Sequence, residues 1–434
     1  MSEWKELTLG ELYEIRSGLS KPSSDFGTGY PFLSFKEVFY NTFVPEKLIQ
    51  LVNSTPKERE SCSIKRGDVF LTRTSETQDE LGMSCVALKN YENATFNGFT
   101  KRLRPKPETE ILPEYIGYFF RSPRFRQKIT AMSSLSTRAS LNNEMLERLS
   151  VIVPSKNEQL AISNILKSLD DKIELNRRMN ETLEEMARAI FKDWFVDFGP
   201  TRAKQEGRAP YLPEHIWSLF PGAIDDETGL PEGWEEVPLN HHLQFNPNES
   251  LKKGVEAPYL GMSALPTQGS IADPPTLRAF TSGMRFRNGD TLFGRITPCL
   301  ENGKTAFIQN LMPDEIGWGS TEFIVMRCIP PVPKAFSYLI SRHPDFRATA
   351  IQSMTGSSGR QRVRTEALEN YIFCNPDPKI WECLASIINP IFDRVSSYGL
   401  ESRTLAEMRD RLLPKLMSGE IRIKEAEKIV EEAL

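Results

Sequence analysis

The chain has no cysteine pair spaced to share a metal, no histidine pair at ligand spacing, no long apolar run and no overall basic excess. Its six cysteines (Cys62, Cys85, Cys299, Cys328, Cys374, Cys383) stand far apart without a CxxC pair. That suits reduced thiols better than a disulfide framework. Four scattered histidines (His215, His241, His242, His343) offer no tetrahedral metal set and no Ser/His/Asp or Cys/His arrangement for nucleophilic catalysis. No stretch approaches the roughly 18 apolar residues of a membrane span. The opening MSEWKELTLGELYEI is neither a secretory leader nor a transit peptide, so a cytoplasmic location is expected. A net charge of −4 argues against a uniformly basic nucleic-acid binder.

Phosphate-loop and methyltransferase signatures are missing too. PCLENGKT (298–305) ends like a phosphate-binding loop but has Pro298 where the first glycine belongs. DPPT (273–276) carries Thr276 where an amino-methyltransferase needs an aromatic to stack on a flipped base. The sequence therefore predicts no catalytic and no metal-binding residues.

What is present is a repeat. NETLEEMARAIFKDWF (180–195) returns 222 positions later as SRTLAEMRDRLLPKLM (402–417). At the same offset KRGDVFLTR (65–73) matches RNGDTLFGR (287–295), pairing Asp68 with Asp290 and Arg73 with Arg295; Arg138 falls on Arg360. EWKELTLGEL (3–12) matches GWEEVPLNHH (233–242) at a slightly longer offset. Each half reads as a mixed segment of short apolar runs and turns, with helices expected at 113–132 and 334–354, followed by one long helix.

The long helices keep a seven-residue beat. The expected seam is Ile162, Leu169, Asn176, Leu183, Met186 and Ile190 against Leu384, Ile391, Tyr398, Leu405, Met408 and Leu412. Asn176 is expected to face the region of Tyr398, and Pro414 to kink or end the second helix. Glu184, Arg188 and Lys192 are left for the outer face. The fold class is α+β: two pseudo-twofold-related, β-rich α/β domains separated by two long antiparallel coiled-coil helices. The boundaries are a first domain at 1–155, a helix at 156–197, a connector at 198–232, a second domain at 233–377, a helix at 378–418 and a tail at 419–434. Like domains on a helical spacer suit a duplex, which offers equivalent surfaces about 34 Å apart.

Although the total is acidic, residues 97–138 hold nine Lys/Arg against three Asp/Glu, and 342–364 hold five Arg against one Asp. Phosphate contacts need Lys or Arg, and base reading needs Arg, Lys, Asn, Gln, Ser or Thr. The candidate DNA-binding residues are Arg73, Thr74, Ser75, Lys101, Arg102, Arg138 and Asn142 in the first half. In the second half they are Arg295, Thr297, Lys304, Arg360, Gln361, Arg362 and Arg364.

LPEGWEEVPL (230–239), GDVFLTR, GDTLFGR, residues 152–195 from IVPSKNEQLAISNILKSL onward, and LLPKLMSGEI (412–421) carry a resemblance over nearly the whole chain. The sequence resembles the DNA specificity subunits of type I restriction-modification systems. The resemblance implies two target recognition domains, each reading one half of a bipartite site, with the helices as a ruler for the spacer. It implies docking of two modification (methyltransferase) subunits, which bring S-adenosylmethionine and methylate adenine N6. It also implies docking of two restriction (endonuclease/translocase) subunits using ATP and Mg, with no cofactor on this chain. A stand-alone sequence-specific DNA-binding regulator is the alternative.

Overall fold

A computed structural model describes residues 4–75, 80–133, 140–357 and 359–433. The chain divides into two compact units, Met1–Ile173 with Arg403–Leu434, and Glu174–Ser402. Each long helix passes through both. The first, Lys156–Phe195, has 40 residues and the second, Pro378–Ser418, has 41.

In the first unit a four-stranded antiparallel sheet runs in the order Tyr13–Ser17, Thr100–Pro105, Val69–Thr72, Ser84–Val86. The second unit repeats that order with Leu243–Phe245, Phe323–Cys328, Asp290–Gly294 and Thr305–Phe307. A second sheet accompanies each, of three strands in the first unit and four in the second. Lys5–Thr8 pairs with Ser150–Val153, and Glu235–Pro238 with Ile372–Asn375, so each domain closes its chain entry against its exit just before the long helix. Both units are therefore β-rich with helices, as the alternating apolar runs imply.

The expected helices at 113–132 and 334–354 are each broken. The first becomes Pro113–Arg121 and Pro123–Ser133; the second becomes Phe336–Arg342 and Pro344–Gln352. The reason is local: Ser122 precedes Pro123 and His343 precedes Pro344, and a residue before proline is pushed out of helical backbone. The connector carries two short helices, Gly199–Gln205 and Glu214–Trp217. Its Ile216, Phe220 and Leu230 are buried in one core with Trp194 and Trp234. The tail holds the helix Ile423–Glu431, whose Ala426 and Val430 join the core of the first unit. Pro414 lies inside the last turns of the second helix, which ends at Ser418, within the MSGE stretch (417–420) where the sequence places its end.

The helices pack on each other within each unit. In the first unit Ile162, Leu166 and Leu169 share a core with Leu405, Leu412 and Leu416. In the second, Ala187, Phe191 and Phe195 share one with Trp381, Leu384 and Ile388, and the Phe195 and Trp381 rings stack 4.7 Å apart. Asn176 donates to Glu401 at 2.9 Å, three residues beyond the expected Tyr398.

Of the expected seam, Ile162, Leu169, Asn176, Leu384, Leu405 and Leu412 are buried, while Leu183, Ile190, Ile391, Tyr398 and Met408 are half-buried. Met186 is not a seam residue: it is 50% exposed. The cause is the mismatch between a heptad and an α-helix, about 20° per heptad, which accumulates along a helix counted from Ile162. Inward positions of the first helix instead recur every eleven residues, at Ile162, Ile173, Glu184 and Phe195, and at Ile165, Asn176 and Ala187. Glu184 is thus not on the outer face either.

Candidate nucleic-acid interface

Each candidate loop begins on a buried acid. In KRGD and RNGD a glycine with left-handed backbone (Gly67, φ +89°; Gly289, φ +92°) turns the chain into the strand, where glycine alone escapes the Cβ penalty. The aspartate that follows is fully buried. Asp68 accepts from Arg104 Nε at 2.8 Å and Nη2 at 2.6 Å, and from the Lys65 amide at 2.7 Å. Asp290 accepts from Arg327 Nε at 2.6 Å and Nη2 at 2.7 Å, and from the Arg287 amide at 2.8 Å. A bidentate pair of this kind ties two neighbouring strands at a fixed height.

Five residues beyond each acid the strand delivers an arginine. The Arg73 carbonyl accepts the Leu141 amide at 2.9 Å, and the Arg295 carbonyl accepts the Val363 amide at 3.0 Å. Leu141 and Val363 are themselves 222 positions apart. The structure thus brings together, in each unit, the two stretches that the charge pattern singles out. Thr74 bridges to Ser140, while Ile296 bridges to Arg362 and Thr297 N–H donates to the Gln361 carbonyl at 3.0 Å. Thr355 pairs back on Arg362, making the second stretch a small hairpin.

Several candidates are tied into the fold. Arg102 is 2% exposed and donates to the carbonyls of Ser61 at 3.2 Å and Ser63 at 2.8 Å. It is an internal anchor rather than a DNA contact, because Thr100–Pro105 is a central strand with both faces covered. Lys101 is also buried and donates to Ser17 Oγ at 2.9 Å and Asn143 Oδ1 at 2.8 Å. Burial, with Arg73 nearby, lowers its pKa. Lys304 is pinned on the carbonyls of Ser263 and Leu265. Asn142 caps the helix Asn143–Arg148 by accepting the Met145 amide at 2.8 Å, and Ser75 donates to Glu80 at 3.2 Å. Arg138 lies outside the described residues.

Arg360 and Arg364 are exposed. Arg295 and Arg362 converge on Glu322: Arg362 donates through Nε at 2.9 Å and Nη2 at 2.7 Å, and Arg295 through Nε at 3.3 Å. The Arg362 hydrogen bond, followed by that of Arg295, holds the Glu322 carboxyl below the usual carboxylate range against partial burial. Glu322, an acid, is not signalled by the pattern of basic residues in the sequence. The position matching it in the first unit is Phe99, which is 58% exposed. Both place their carbonyl at 3.0 Å from the amide of the strand-end arginine.

The basic patches also contain structural arginines. Arg121 donates to the carbonyls of Val38, Phe39, Asn41 and Ser84, and burial pushes its pKa down to about 10. Its counterpart Arg342 donates to the carbonyls of Thr267, Gly303 and Thr305.

This doubled architecture has known relatives. The family described as the type I restriction modification DNA specificity domain matches residues 1–185. The HindI type I restriction enzyme specificity subunit of Haemophilus influenzae is 26% identical, over 97% of this chain and 100% of that protein. The MjaIX specificity subunit of Methanocaldococcus jannaschii is 22% identical, over 98% of this chain and 94% of that one. Over nearly its whole length the chain is similar to type I restriction-modification specificity subunits. The role of that family is DNA target recognition, not catalysis. The crystal structure of a type I restriction-modification S subunit from M. genitalium has the same fold, with a TM-score of 0.55 at 14% identity, covering 95% of this chain and 96% of that one. Among the described residues no helix is long and apolar enough to cross a membrane.

Proposed function

We propose that this specificity subunit reads a bipartite DNA site, one half with each domain, and that the paired long helices set the unspecified spacer. One observation carries the reading: the hydrogen bond from Leu141 to Arg73 is repeated from Val363 to Arg295, so two similar reading edges stand on one chain. The exposed Arg360 and Arg364, the free end of Arg295, and Thr74 and Thr297 are the side chains offered to DNA. The chain works in the cytoplasm with two modification subunits and two restriction subunits. Those partners carry S-adenosylmethionine, ATP and Mg, and this chain holds no cofactor of its own. Methylation of adenine N6 and cleavage are the partners' chemistry.

The test is to express the chain with its partner subunits and map methylated adenines across the host genome. The expected result is a two-part asymmetric motif. Replacing residues 355–364 should alter one part and spare the other. A continuous motif, or specific binding of equal strength by the chain without partners, would overturn the reading in favour of a stand-alone regulator.

A further inference from the structure

Glu322 stands between two arginines that come from different segments, and it satisfies them unequally. Arg362 is used up: Nε and Nη2 reach the Glu322 carboxylate, and Nη1 reaches the Arg360 carbonyl at 3.1 Å. Arg295 gives only Nε to the same carboxylate, at 3.3 Å, leaving Nη1 and Nη2 without a partner among the described residues. Its side chain is 31% exposed. A guanidinium held by Nε on one edge presents its two terminal nitrogens as a fork, and that fork matches the O6 and N7 acceptors of guanine.

We infer that Glu322 is a positioning residue for specificity: it orients Arg295 to read a guanine in the half-site of the second domain, while Arg362 balances its charge. This rests on the DNA-reading function proposed above. A carboxylate at a DNA-facing edge repels phosphate unless it is neutralised, and two arginines on one glutamate leave a net positive charge there. Arg362 thus locks the hairpin at Thr355 to the Arg295 loop and is not itself a base reader. At the matching position the first domain has Phe99 in place of the acid. The two half-sites therefore respond differently to the same kind of substitution.

The experiment uses the chain assembled with its partner subunits, on duplexes carrying the motif found by methylation mapping and single base-pair variants of it. Glu322→Gln keeps the shape and removes the charge. It should lower discrimination at one G·C pair of the second domain's half-site by roughly tenfold to a hundredfold. It should also raise affinity for unrelated DNA and steepen the salt dependence by about one phosphate contact, because Arg362 is released. Glu322→Asp, which keeps the charge, should restore most of the discrimination without the gain on unrelated DNA.

A residue that only stabilises the fold would instead lower the melting temperature and weaken all sequences alike, and that outcome overturns the inference. So does unchanged discrimination in Glu322→Gln, or equal loss in both half-sites. If the wild-type assembly itself shows no sequence preference, the reading of function fails with it. Wild-type preference with a silent Glu322→Gln sinks only the positioning role.

Discussion

Tyr338 donates its phenolic hydrogen to Glu184 across 2.6 Å, joining a helix of the second domain to the first long helix. Glu184 is 3% exposed and also accepts the amide and hydroxyl of Ser270, at 2.8 and 2.7 Å. The first domain has a parallel contact, Tyr118 to Asp170 at 2.7 Å. Burial foremost, then the neighbouring carboxylate, raises both phenols far above their ordinary range, so both remain donors. The repeat is imperfect here, since the position 222 residues after Glu184 is Ala406. The two halves therefore take their carboxylates from different positions of the first long helix, Asp170 and Glu184.

Removing one partner of such a contact leaves a buried group short of a hydrogen bond. Tyr338→Phe should cost the second domain about 1–3 kcal/mol. Glu184→Ala, which strands three donors, should cost more. Chemical denaturation of the full chain reports both. A silent Tyr338→Phe would show that Glu184 needs only Ser270.

The two aspartates at the strand feet differ in what backs them up. Arg327 also reaches Glu249 at 2.6 Å, whereas among the described residues Arg104 has beyond Asp68 only Ser63, through its carbonyl and hydroxyl. Asp68→Ala should destabilise the first domain by about 3–5 kcal/mol, the usual penalty for breaking a buried pair. Asp290→Ala should cost less, because Glu249 still compensates Arg327. Equal losses in the two variants would mean that Glu249 contributes nothing.

Much of this was legible in the chain, and the illegible part has a physical reason. The repeat, the Gly-Asp turn into the strands Val69–Thr72 and Asp290–Gly294, and the arginine after each are local patterns. Whether Arg102 faces solvent depends on which strands flank Thr100–Pro105, and that is decided by residues far away in sequence. Arg121 and Arg342 counted toward basic patches although their guanidiniums satisfy carbonyls inside the fold. The helix seam was misplaced at Met186 because periods of 3.5 and 3.6 are indistinguishable over a turn or two. Glu322 is acidic, and the pattern of basic residues does not single it out.

Arg102 and Arg360 provide a direct contrast. Arg102→Ala should destabilise the first domain by about 2–3 kcal/mol, since charged donors to buried carbonyls are lost. DNA selectivity of whatever remains folded should be unchanged. Arg360→Ala should leave stability within about 0.5 kcal/mol and weaken DNA binding by about 1–3 kcal/mol if it contacts a base edge. A uniform loss over all sequences would make Arg360 a phosphate contact.

Stability should also fall in mild acid. His242 is buried beside the Cys374 carbonyl, to which its ring nitrogen lies at 3.1 Å. Burial pushes its pKa down to about 4, against a smaller opposing effect of that carbonyl. Burial lowers His343 as well. Above the ordinary histidine range both folded and unfolded states are neutral, and the stabilisation is complete. As pH falls from about 6.5 toward 4, the unfolded chain binds the proton first, so unfolding gains. The loss from His242 is on the order of 2 kcal/mol by pH 5. His242→Gln, which keeps a donor for the carbonyl without titrating, should flatten the melting temperature between pH 7 and pH 5. An unaltered pH dependence would place the sensitivity elsewhere.

The helix pair as a spacer is tested by length. Eleven residues complete three turns with little rotation and add about 16 Å, so an eleven-residue insertion preserves the inward stripe of Ile162, Ile173, Glu184 and Phe195. Made at Arg178 and at its repeat partner Leu400 together, it should enlarge the spacer of the methylated motif while both half-sites keep their bases. A five-residue insertion at Arg178 alone rotates everything after it by about 140°, turning Phe191 and Trp194 away from Trp381 and its neighbours. That variant should lose stability rather than change its motif. Methylation mapping of the matched insertion decides the matter: an unchanged spacer would leave the helices as packing elements with no measuring role.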